Sequence, residues 1–343
     1  MTGPDRPSSA AVGALTRPCA FLLVLAAAGC HARPASESNP APAPPAPRAQ
    51  NPSPMVENTR RHERVPQGQT SGVAFRIDSV LSRPVEVFIP DKPLASAGAA
   101  DERTLLVHVF SAAYVPMHAV ATTRDRYVLA VVNLGGSSSA YERALSDTAA
   151  WNTLIQRVRD ETVARTQGRV RVDRVVVSAF SAGYGGVRAL LSDERTAAAI
   201  DGVLLLDGLH TSYIPERAVL SEGGSLDTLK LVPFLRYARR AVAGEVRFVV
   251  THSEIFPGTF ASTTETADWI LAALGLARSP VLAWGPGGMQ QIGEVRRGGL
   301  AILGFAGNTG PDHIDHLHGL GGFLPLLSAP ASPASTPSTR SNR

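Results

Sequence analysis

Seven apolar runs, separated by segments with helical spacing, are the feature that most constrains the fold of this chain. The runs are rich in Val, Leu and Ile and show little alternation between apolar and polar residues. Strands that are apolar on both faces are typical of a parallel sheet covered by helices on both sides. The sequence therefore predicts an α/β fold with a mainly parallel central sheet. The predicted strands are 85–90, 104–111, 127–134, 173–180, 201–208, 245–253 and 299–307.

Changes in composition along the chain predict its division into segments. Residues 32–55 contain eight prolines and almost no large apolar side chain, so this stretch cannot bury a core. The last sixteen residues have a similar composition. We therefore expect one folded domain with extended segments on both sides. The expected boundaries are a signal peptide at 1–29, a Pro/Ala-rich tether at 30–71, the folded domain at 72–327 and a disordered tail at 328–343.

The N-terminal segment resembles an export signal. Arg6 and Arg17 precede an apolar core, 19–29, that is too short to span a bilayer stably. The stretch LAAAGC, which ends at Cys30, resembles the lipobox of bacterial lipoproteins. This resemblance implies cleavage before Cys30, acylation of its thiol and anchoring to a membrane of the bacterial cell envelope. The alternative is an ordinary secretory signal, which would give a secreted protein.

Charge and cysteine content exclude several classes of function. The formal net charge is only +4 and no basic run is interleaved with aromatic residues, so we expect no nucleic-acid partner. The two cysteines, Cys19 and Cys30, both precede the expected folded domain. This excludes disulfides, thiolate metal ligands and cysteine nucleophiles from that domain.

Ser181 lies between a predicted strand and a predicted helix, within the sequence RVVVSAFSAGYGG. Its neighbours at −2 and +2 are Ala179 and Gly183, and small residues there let a strand and a helix approach closely around a nucleophile. The stretch resembles the G-x-S-x-G nucleophile elbow of the α/β-hydrolase superfamily, with Ala in place of the first Gly. Ser178 lacks flanking glycines and is a weaker candidate. A tight corner with an incidental serine is the alternative.

The resemblance to α/β-hydrolases covers essentially the whole folded domain and implies the chain order serine, acid, histidine. It places the base after the last strand, where PDHIDHLH contains three histidines. His313 is nearest the strand end and is the expected base, with His316 as the alternative. With Asp312 and Asp315, the same histidines could instead ligate a metal or have a purely structural role. We expect no metal site.

Two carboxylates follow predicted strands and are candidates for the acid. The usual position in the superfamily, after the penultimate strand, favours Glu254. Local chemistry favours Asp207, because a carboxylate directly after a fully apolar strand is costly unless it has a fixed partner. We therefore expect Asp207 to be the acid and retain Glu254 as the alternative. Either could instead cap a helix or form a salt bridge in a loop.

An oxyanion hole needs two backbone N–H groups directed at the developing charge. The resemblance implies that one comes from Ala182, directly after the nucleophile. The other is expected from the loop after strand 104–111, where Ala112 and Ala113 are the candidates. This loop reads FSAAYVP and lacks the His-Gly-Gly sequence that many esterases carry there.

Together these residues predict a serine hydrolase that acts on carboxylic esters through an acyl-enzyme and needs no cofactor. The expected partners are a small-molecule ester or acyl substrate and, through the lipid anchor, a membrane. Two alternatives stay open. One is a catalytically inactive lipoprotein with this fold that serves as a binding module. The other is an acyltransferase or a peptidase that uses the same triad.

Overall fold

The computed structural model describes residues 62–94 and 100–328. The expected signal peptide, Cys30, most of the expected tether and almost all of the expected tail lie outside these residues, so the expectations about them stay predictions. Within the described residues, no helix has both the length and the apolar character needed to cross a membrane.

Ten of the strands in the described residues form one central sheet. In chain order, the strands are β1 (Gly72–Ile77), β2 (Val85–Pro90), β3 (Asp101–Val109), β4 (Tyr127–Val132), β5 (Val170–Phe180), β6 (Gly202–Leu206), β7 (Tyr213–Ile214), β8 (Ser225–Leu226), β9 (Arg247–His252), β10 (Ser279–Trp284), β11 (Gln290–Arg297) and β12 (Leu300–Phe305). The order across the sheet is β1-β2-β4-β3-β5-β6-β9-β12-β11-β10, and β7 pairs with β8 in a separate ribbon.

The six central strands of the sheet, from β4 to β12, are mutually parallel. The two strands at each edge pair in antiparallel fashion. Every residue of β4, β6 and β12 is buried, as continuous apolar runs require when helices cover both faces. The predicted α/β fold with a mainly parallel central sheet is confirmed.

Helices cover both faces of the sheet. The helices of the described residues are α1 (Tyr114–Thr122), α2 (Ser138–Leu145), α3 (Thr148–Arg165), α4 (Tyr184–Ser192), α5 (Glu194–Ala198), α6 (Val232–Val242), α7 (Thr263–Leu274), α8 (Gly310–His318), α9 (Leu320–Phe323) and α10 (Pro325–Ser328). Apolar side chains of α2, α3, α4, α6 and α7 join one core cluster. Those of α1, α8, α9 and α10 join a second cluster.

The parallel strands bring the candidate residues to one edge of the sheet. Phe180, the last residue of β5, pairs with Leu206, the last residue of β6, and Leu206 pairs in turn with Thr251 of β9. The residues that follow these strands, Ser181 and Asp207, are therefore neighbours at the carboxyl ends of adjacent strands. Ligand sites of open α/β sheets form at this edge.

Residues before β1 contact α8, the helix that carries His313 and His316. The backbone N–H of Val65 donates to His318 Nδ1 at 2.9 Å, and Arg64 donates to the Pro311 carbonyl at 2.9 Å. Arg64 and Val65 precede residue 72, where the folded domain is expected to start. That boundary stays a prediction.

Candidate active site

Ser181 occupies a sharp turn between β5 and α4. It is the first residue of a 3-10 turn, Ser181–Gly183, and its φ is +46°. A positive φ is uncommon for a residue with a side chain and is found most often where the surroundings impose it, active sites included. The side chain is half-buried and lines two cavities. A hydroxyl group is thus held at the open end of a buried strand.

Gly183 shows why the positions around Ser181 need small residues. A Cβ atom at Gly183 would lie 2.4 Å from the carbonyl oxygen of Val109 and 3.1 Å from the Cβ of Ala179. The end of β3 and the end of β5 therefore both press against the turn. Close approach of strand and helix is the physical requirement behind small residues at −2 and +2 of a nucleophile elbow.

Asp207 directly follows β6 and touches the same turn. Its φ is +43° and its side chain is buried. A Cβ atom at the next residue, Gly208, would lie 2.8 Å from the backbone nitrogen of Ser181 and 2.7 Å from its carbonyl oxygen. The chain after β6 is therefore packed against the backbone of Ser181, and glycine at 208 permits that approach.

The Asp207 carboxylate accepts three hydrogen bonds. Oδ1 accepts from the backbone N–H of Ser253 at 3.0 Å, and Oδ2 accepts from the Ser253 hydroxyl at 2.7 Å. Oδ2 also accepts from His313 Nδ1 at 2.8 Å. Burial alone would raise the pKa of Asp207. The charge of nearby His316 and the hydrogen bond and charge of His313 outweigh burial and hold the pKa below its ordinary value. Asp207 is therefore ionised at neutral pH.

His313 is fixed in one tautomer by this contact. An ionised carboxylate only accepts hydrogen bonds, so Nδ1 carries a proton, and in the neutral form of the ring Nε2 holds the lone pair. The imidazole packs against the ring of Phe180, with 4.6 Å between ring centroids. Its helix begins with a capping box in which Thr309 and Asp312 satisfy each other's backbone N–H groups. His313 is thus the fourth residue of a helix with a well-defined start.

The two alternative residues make different contacts. His316 is buried, and its Nδ1 lies 2.7 Å from the Thr251 hydroxyl. Glu254 is exposed, and its carboxylate accepts from the backbone N–H of Gly307 at 3.1 Å. The structure therefore brings Asp207 to His313, whereas Glu254 joins the loops that follow β9 and β12.

Ser178 lies inside the sheet and not at its edge. Its side chain is fully buried on β5, and its Oγ is 2.8 Å from Nδ1 of His108 on β3. Burial lowers the pKa of His108 to about 3, so this imidazole is neutral. This buried position agrees with the expectation that Ser178 is a weaker candidate for the nucleophile than Ser181.

The three candidate oxyanion residues differ in the cavities that they line. Ala182 lines a cavity together with Ser181. Ala112 is exposed in the loop between β3 and α1, and Ala113 lines a different cavity with Asn133 and Arg76. Neither Ala112 nor Ala113 lines the two cavities that contain Ser181. Ala182 therefore shares a cavity with Ser181, and the roles expected for Ala112 and Ala113 stay predictions.

Ser181 lines both cavities. Each cavity is named after a residue that lines it and does not line the other. The Ala182 lobe has a volume of about 490 Å³ and the His313 lobe about 320 Å³. Three residues line both lobes: Ser181, His210 and Phe260. The other side chains of the His313 lobe include Asp207, Ile255, Pro257, Thr263 and Asn308. Those of the Ala182 lobe include Ser138, Glu142, Tyr184, Arg188, Ser212 and Lys230.

Sequence reasoning missed two residues of this site. Ser253 donates twice to Asp207, and His210 lines both lobes. Ser253 directly follows β9, as Asp207 follows β6, so its position at a strand end could have indicated it. His210 lies in a loop three residues after Asp207, and no pattern in the sequence indicates its orientation.

In the described part of the chain, one group of side chains has the spacing of a metal site: His62, Asp312 and Asp315. These carboxylates already have protein partners. Asp312 accepts from the backbone N–H and the hydroxyl of Thr309, at 2.9 and 2.6 Å. Asp315 is paired with Arg64 and with His62. A guanidinium group beside the carboxylates disfavours a cation there.

Several solved structures are similar to this chain at low sequence identity. An S-formylglutathione hydrolase from Staphylococcus aureus aligns with 76% of this chain and 99% of its own, at 11% identity and a TM-score of 0.43. A puromycin-hydrolyzing peptidase from Mycobacterium tuberculosis aligns with 73% of this chain but only 38% of its own, at 14% identity and a TM-score of 0.40. An esterase from Rhizomucor miehei aligns with 61% of this chain and 72% of its own, at 14% identity and a TM-score of 0.36.

No protein-family model matches the sequence, and no curated protein matches it. The chain has the α/β-hydrolase fold, with a mostly parallel sheet covered by helices and a serine on the turn after a central strand. The activities named above belong to the similar proteins.

Proposed function

We propose that the protein is a serine hydrolase that cleaves carboxylic esters. The observation that carries this proposal is the hydrogen bond of 2.8 Å between His313 Nδ1 and the buried Asp207 carboxylate, in a cavity that Ser181 also lines. A buried carboxylate orients the imidazole, the imidazole presents a lone pair, and a serine on a strained turn shares the cavity. This is the set of groups that nucleophilic acyl transfer needs.

In the first half of the proposed reaction, Ser181 Oγ attacks the ester carbonyl carbon while His313 Nε2 takes the hydroxyl proton. Asp207 stabilises the imidazolium that forms. The Ala182 N–H stabilises the developing oxyanion. The carbonyl re-forms as the bond to the leaving oxygen breaks, and His313 returns the proton to that oxygen. The products of this half are an alcohol and an acyl-serine.

In the second half, water attacks the acyl-serine and His313 again takes and returns a proton. The carbon–oxygen bond to Ser181 breaks, which releases a carboxylic acid and regenerates the free hydroxyl. The reaction balances with water as the only co-reactant, so the proposal requires no cofactor.

Reaction with a fluorophosphonate tests this proposal, because such probes phosphonylate a serine that an adjacent base activates. We expect one covalent adduct, located on the peptide that contains Ser181, and loss of p-nitrophenyl acetate hydrolysis as the adduct forms. An unlabelled protein without esterase activity would contradict the proposal and favour a binding module. Acyl transfer to added alcohol in preference to water would favour an acyltransferase.

We further propose that the protein is exported and anchored to a bacterial envelope membrane through Cys30. The support is the sequence LAAAGC and the proline-rich stretch that follows it, which would hold the domain away from the membrane. Cys30→Ala should move the protein to the soluble fraction or block processing of the signal peptide. A variant that fractionates and migrates like the wild type would contradict the anchor.

A further inference from the structure

The two lobes that meet at Ser181 differ in chemical character. Beyond the triad residues, Asn308 and Gly310, the His313 lobe is lined by Ile255, Pro257, Phe260 and Thr263, and by His210, which it shares with the other lobe. The Ala182 lobe is the larger and carries most of the polar groups, with hydroxyl, ammonium, guanidinium and carboxylate side chains in its wall. A substrate that spans both lobes therefore meets different surfaces on the two sides of its reacting carbon.

Charges in the Ala182 lobe are already balanced within the protein. Lys230 Nζ pairs with Asp227 at 3.0 Å and donates to the Ser212 hydroxyl at 2.8 Å. Arg188 binds both carboxylate oxygens of Glu142, at 3.1 and 2.6 Å. An anionic ligand would have to compete with Asp227 or Glu142 for its cation. Uncharged hydroxyl groups can accept from the cations and donate to the carboxylates without that competition.

His210 adds an acceptor at the junction of the lobes. Its Nδ1 lies 2.9 Å from the Ala261 carbonyl, which can only accept, so the proton is on Nδ1 and Nε2 has the lone pair. Burial lowers the pKa of His210, so the ring is neutral. The ring packs edge-on against Tyr184 and Phe260, with centroid distances of 5.3 and 5.0 Å. A neutral, fixed imidazole acceptor suits a ligand that donates a hydrogen bond.

The position of His313 assigns the two lobes to the two parts of an ester. The leaving oxygen must receive its proton from His313, so the alcohol part begins in the lobe that His313 lines. The acyl part then extends toward Ala182, whose lobe does not include His313. The polar groups therefore face the acyl part of the substrate.

Building on the proposed function, we propose that the substrate is an ester of an uncharged carboxylic acid that bears several hydroxyl groups, bound in the Ala182 lobe, with a less polar alcohol in the His313 lobe. The acyl hydroxyls exchange hydrogen bonds with Lys230, Ser212 and the carboxylates beside them. Lys230 is paired but also 45% exposed, so an acyl group without hydroxyls displaces water from it without replacing the hydrogen bonds of that water, and this is the source of discrimination.

Three methyl esters with one ring skeleton test the proposal. They are the methyl ester of cyclohexanecarboxylic acid, the methyl ester of a trihydroxy derivative whose hydroxyls are remote from the carboxyl group, and the monomethyl ester of cyclohexanedicarboxylic acid. Remote hydroxyls leave the reactivity of the carbonyl unchanged. We expect kcat/KM, measured by methanol release, to be at least about tenfold higher for the trihydroxy ester than for either other ester.

The two lysines of the chain, Lys92 and Lys230, provide a matched pair of variants. Lys230→Met removes the ammonium group from the lobe, and we expect the trihydroxy-to-cyclohexane ratio of kcat/KM to fall about tenfold. Lys92 donates to the backbone carbonyls of Thr123 and Asp125 and does not line the Ala182 lobe. Lys92→Met should leave the ratio unchanged. Circular dichroism establishes that both variants are folded.

The outcomes separate this inference from the proposed function. A ratio near one, or a preference for the charged ester, overturns the inference while Ser181-dependent hydrolysis still stands. Acetate esters of cyclohexanol and of its trihydroxy derivative provide the mirror test. A hydroxyl preference confined to these acetates overturns the assignment of the lobes. A protein that hydrolyses none of the esters and does not react with fluorophosphonate refutes the proposed function itself, and the inference with it.

Discussion

Strand β5 and the turn after it present two serines, three residues apart, and each is near a histidine. Ser178 Oγ lies 2.8 Å from His108 inside the sheet, where both side chains are fully buried. Ser181 lies past the strand end, in a cavity that His313 also lines. The residue types are the same in both places. What differs is the third group and the access to a ligand.

The two histidines differ in their partners. His313 has a carboxylate partner, whereas the partner of His108 is the hydroxyl of Ser178. His313 Nδ1 contacts the buried Asp207, which can stabilise an imidazolium. His108 is enclosed by the sheet, and burial lowers its pKa to about 3. It therefore resists the protonation that a general base must undergo. A serine–histidine contact acquires catalytic potential from the carboxylate and from its place at the strand end.

Replacing each serine by alanine gives the largest expected difference between the two pairs. Ser181→Ala should reduce kcat for ester hydrolysis by about 10⁶-fold, because it removes the proposed nucleophile. Ser178→Ala should keep kcat within the same order of magnitude. It should lower the free energy of unfolding by about 1–2 kcal/mol, because His108 Nδ1 loses its buried partner. Steady-state kinetics and urea unfolding of both variants measure this.

A comparable loss of kcat in both variants would mean that the Ser178–His108 pair is also needed for ester hydrolysis. The contrast between the two pairs would then be wrong. Retention of wild-type kcat in Ser181→Ala would remove Ser181 from the mechanism altogether.

The second expected effect concerns the carboxylate. Asp207→Asn keeps the size of the side chain but cannot stabilise an imidazolium, so kcat should fall by about 10⁴-fold. Glu254→Gln should have a small effect, because Glu254 is exposed and its contact is with the Gly307 backbone. The side-chain carbonyl oxygen of Gln can still accept a hydrogen bond from this backbone N–H. If Glu254→Gln instead shows the large loss, the assignment of the acid is reversed.

A third, intermediate effect is expected at Gly208, where the chain after β6 contacts the serine turn. Gly208→Ala places a methyl group within 2.8 Å of the Ser181 backbone nitrogen, so the turn must shift. Displacing a nucleophile by about 1 Å costs on the order of 10²-fold in rate. Gly68→Ala is the control, because a Cβ atom there has no neighbour within 4 Å. Equal activity of both variants would show that the position of Ser181 tolerates this movement.

Sequence patterns predicted the parts of the molecule that local chemistry determines. The strands β4, β6 and β12 are apolar throughout, so each appears in the sequence as a continuous run. Asp207 was expected to have a fixed partner because it follows such a run, and it accepts hydrogen bonds from Ser253 and His313. In both cases the sequence itself contains the physical constraint.

Features that depend on distant parts of the chain could not be predicted in the same way. Strand β11 mixes polar with apolar residues, so no apolar run marks it, and β10 lies at the sheet edge with most of its side chains exposed. Ile314 of α8 is apolar and yet 41% exposed, which its residue type alone does not indicate. His210 takes its orientation from the carbonyl of Ala261, 51 residues away. Such contacts exist only once the fold has brought the segments together.

The last expected effect concerns stability and not activity, and it uses the buried pair again. The pKa of His108 is lowered from 6.5 to about 3 in the folded protein, so between these values the unfolded state binds one more proton. Its contribution to stability is therefore complete above about pH 6.5 and is lost as the pH falls toward 3. In that range it gives the free energy of unfolding a slope of about 1.4 kcal/mol per pH unit. The double variant His108→Leu/Ser178→Ala replaces both partners by apolar groups and should reduce the measured slope by that amount. Urea unfolding at several pH values measures the slope. An unchanged slope in the double variant would mean that His108 is already protonated in the folded state over this pH range. The contrast between the buried pair and the pair at the strand end would then fail.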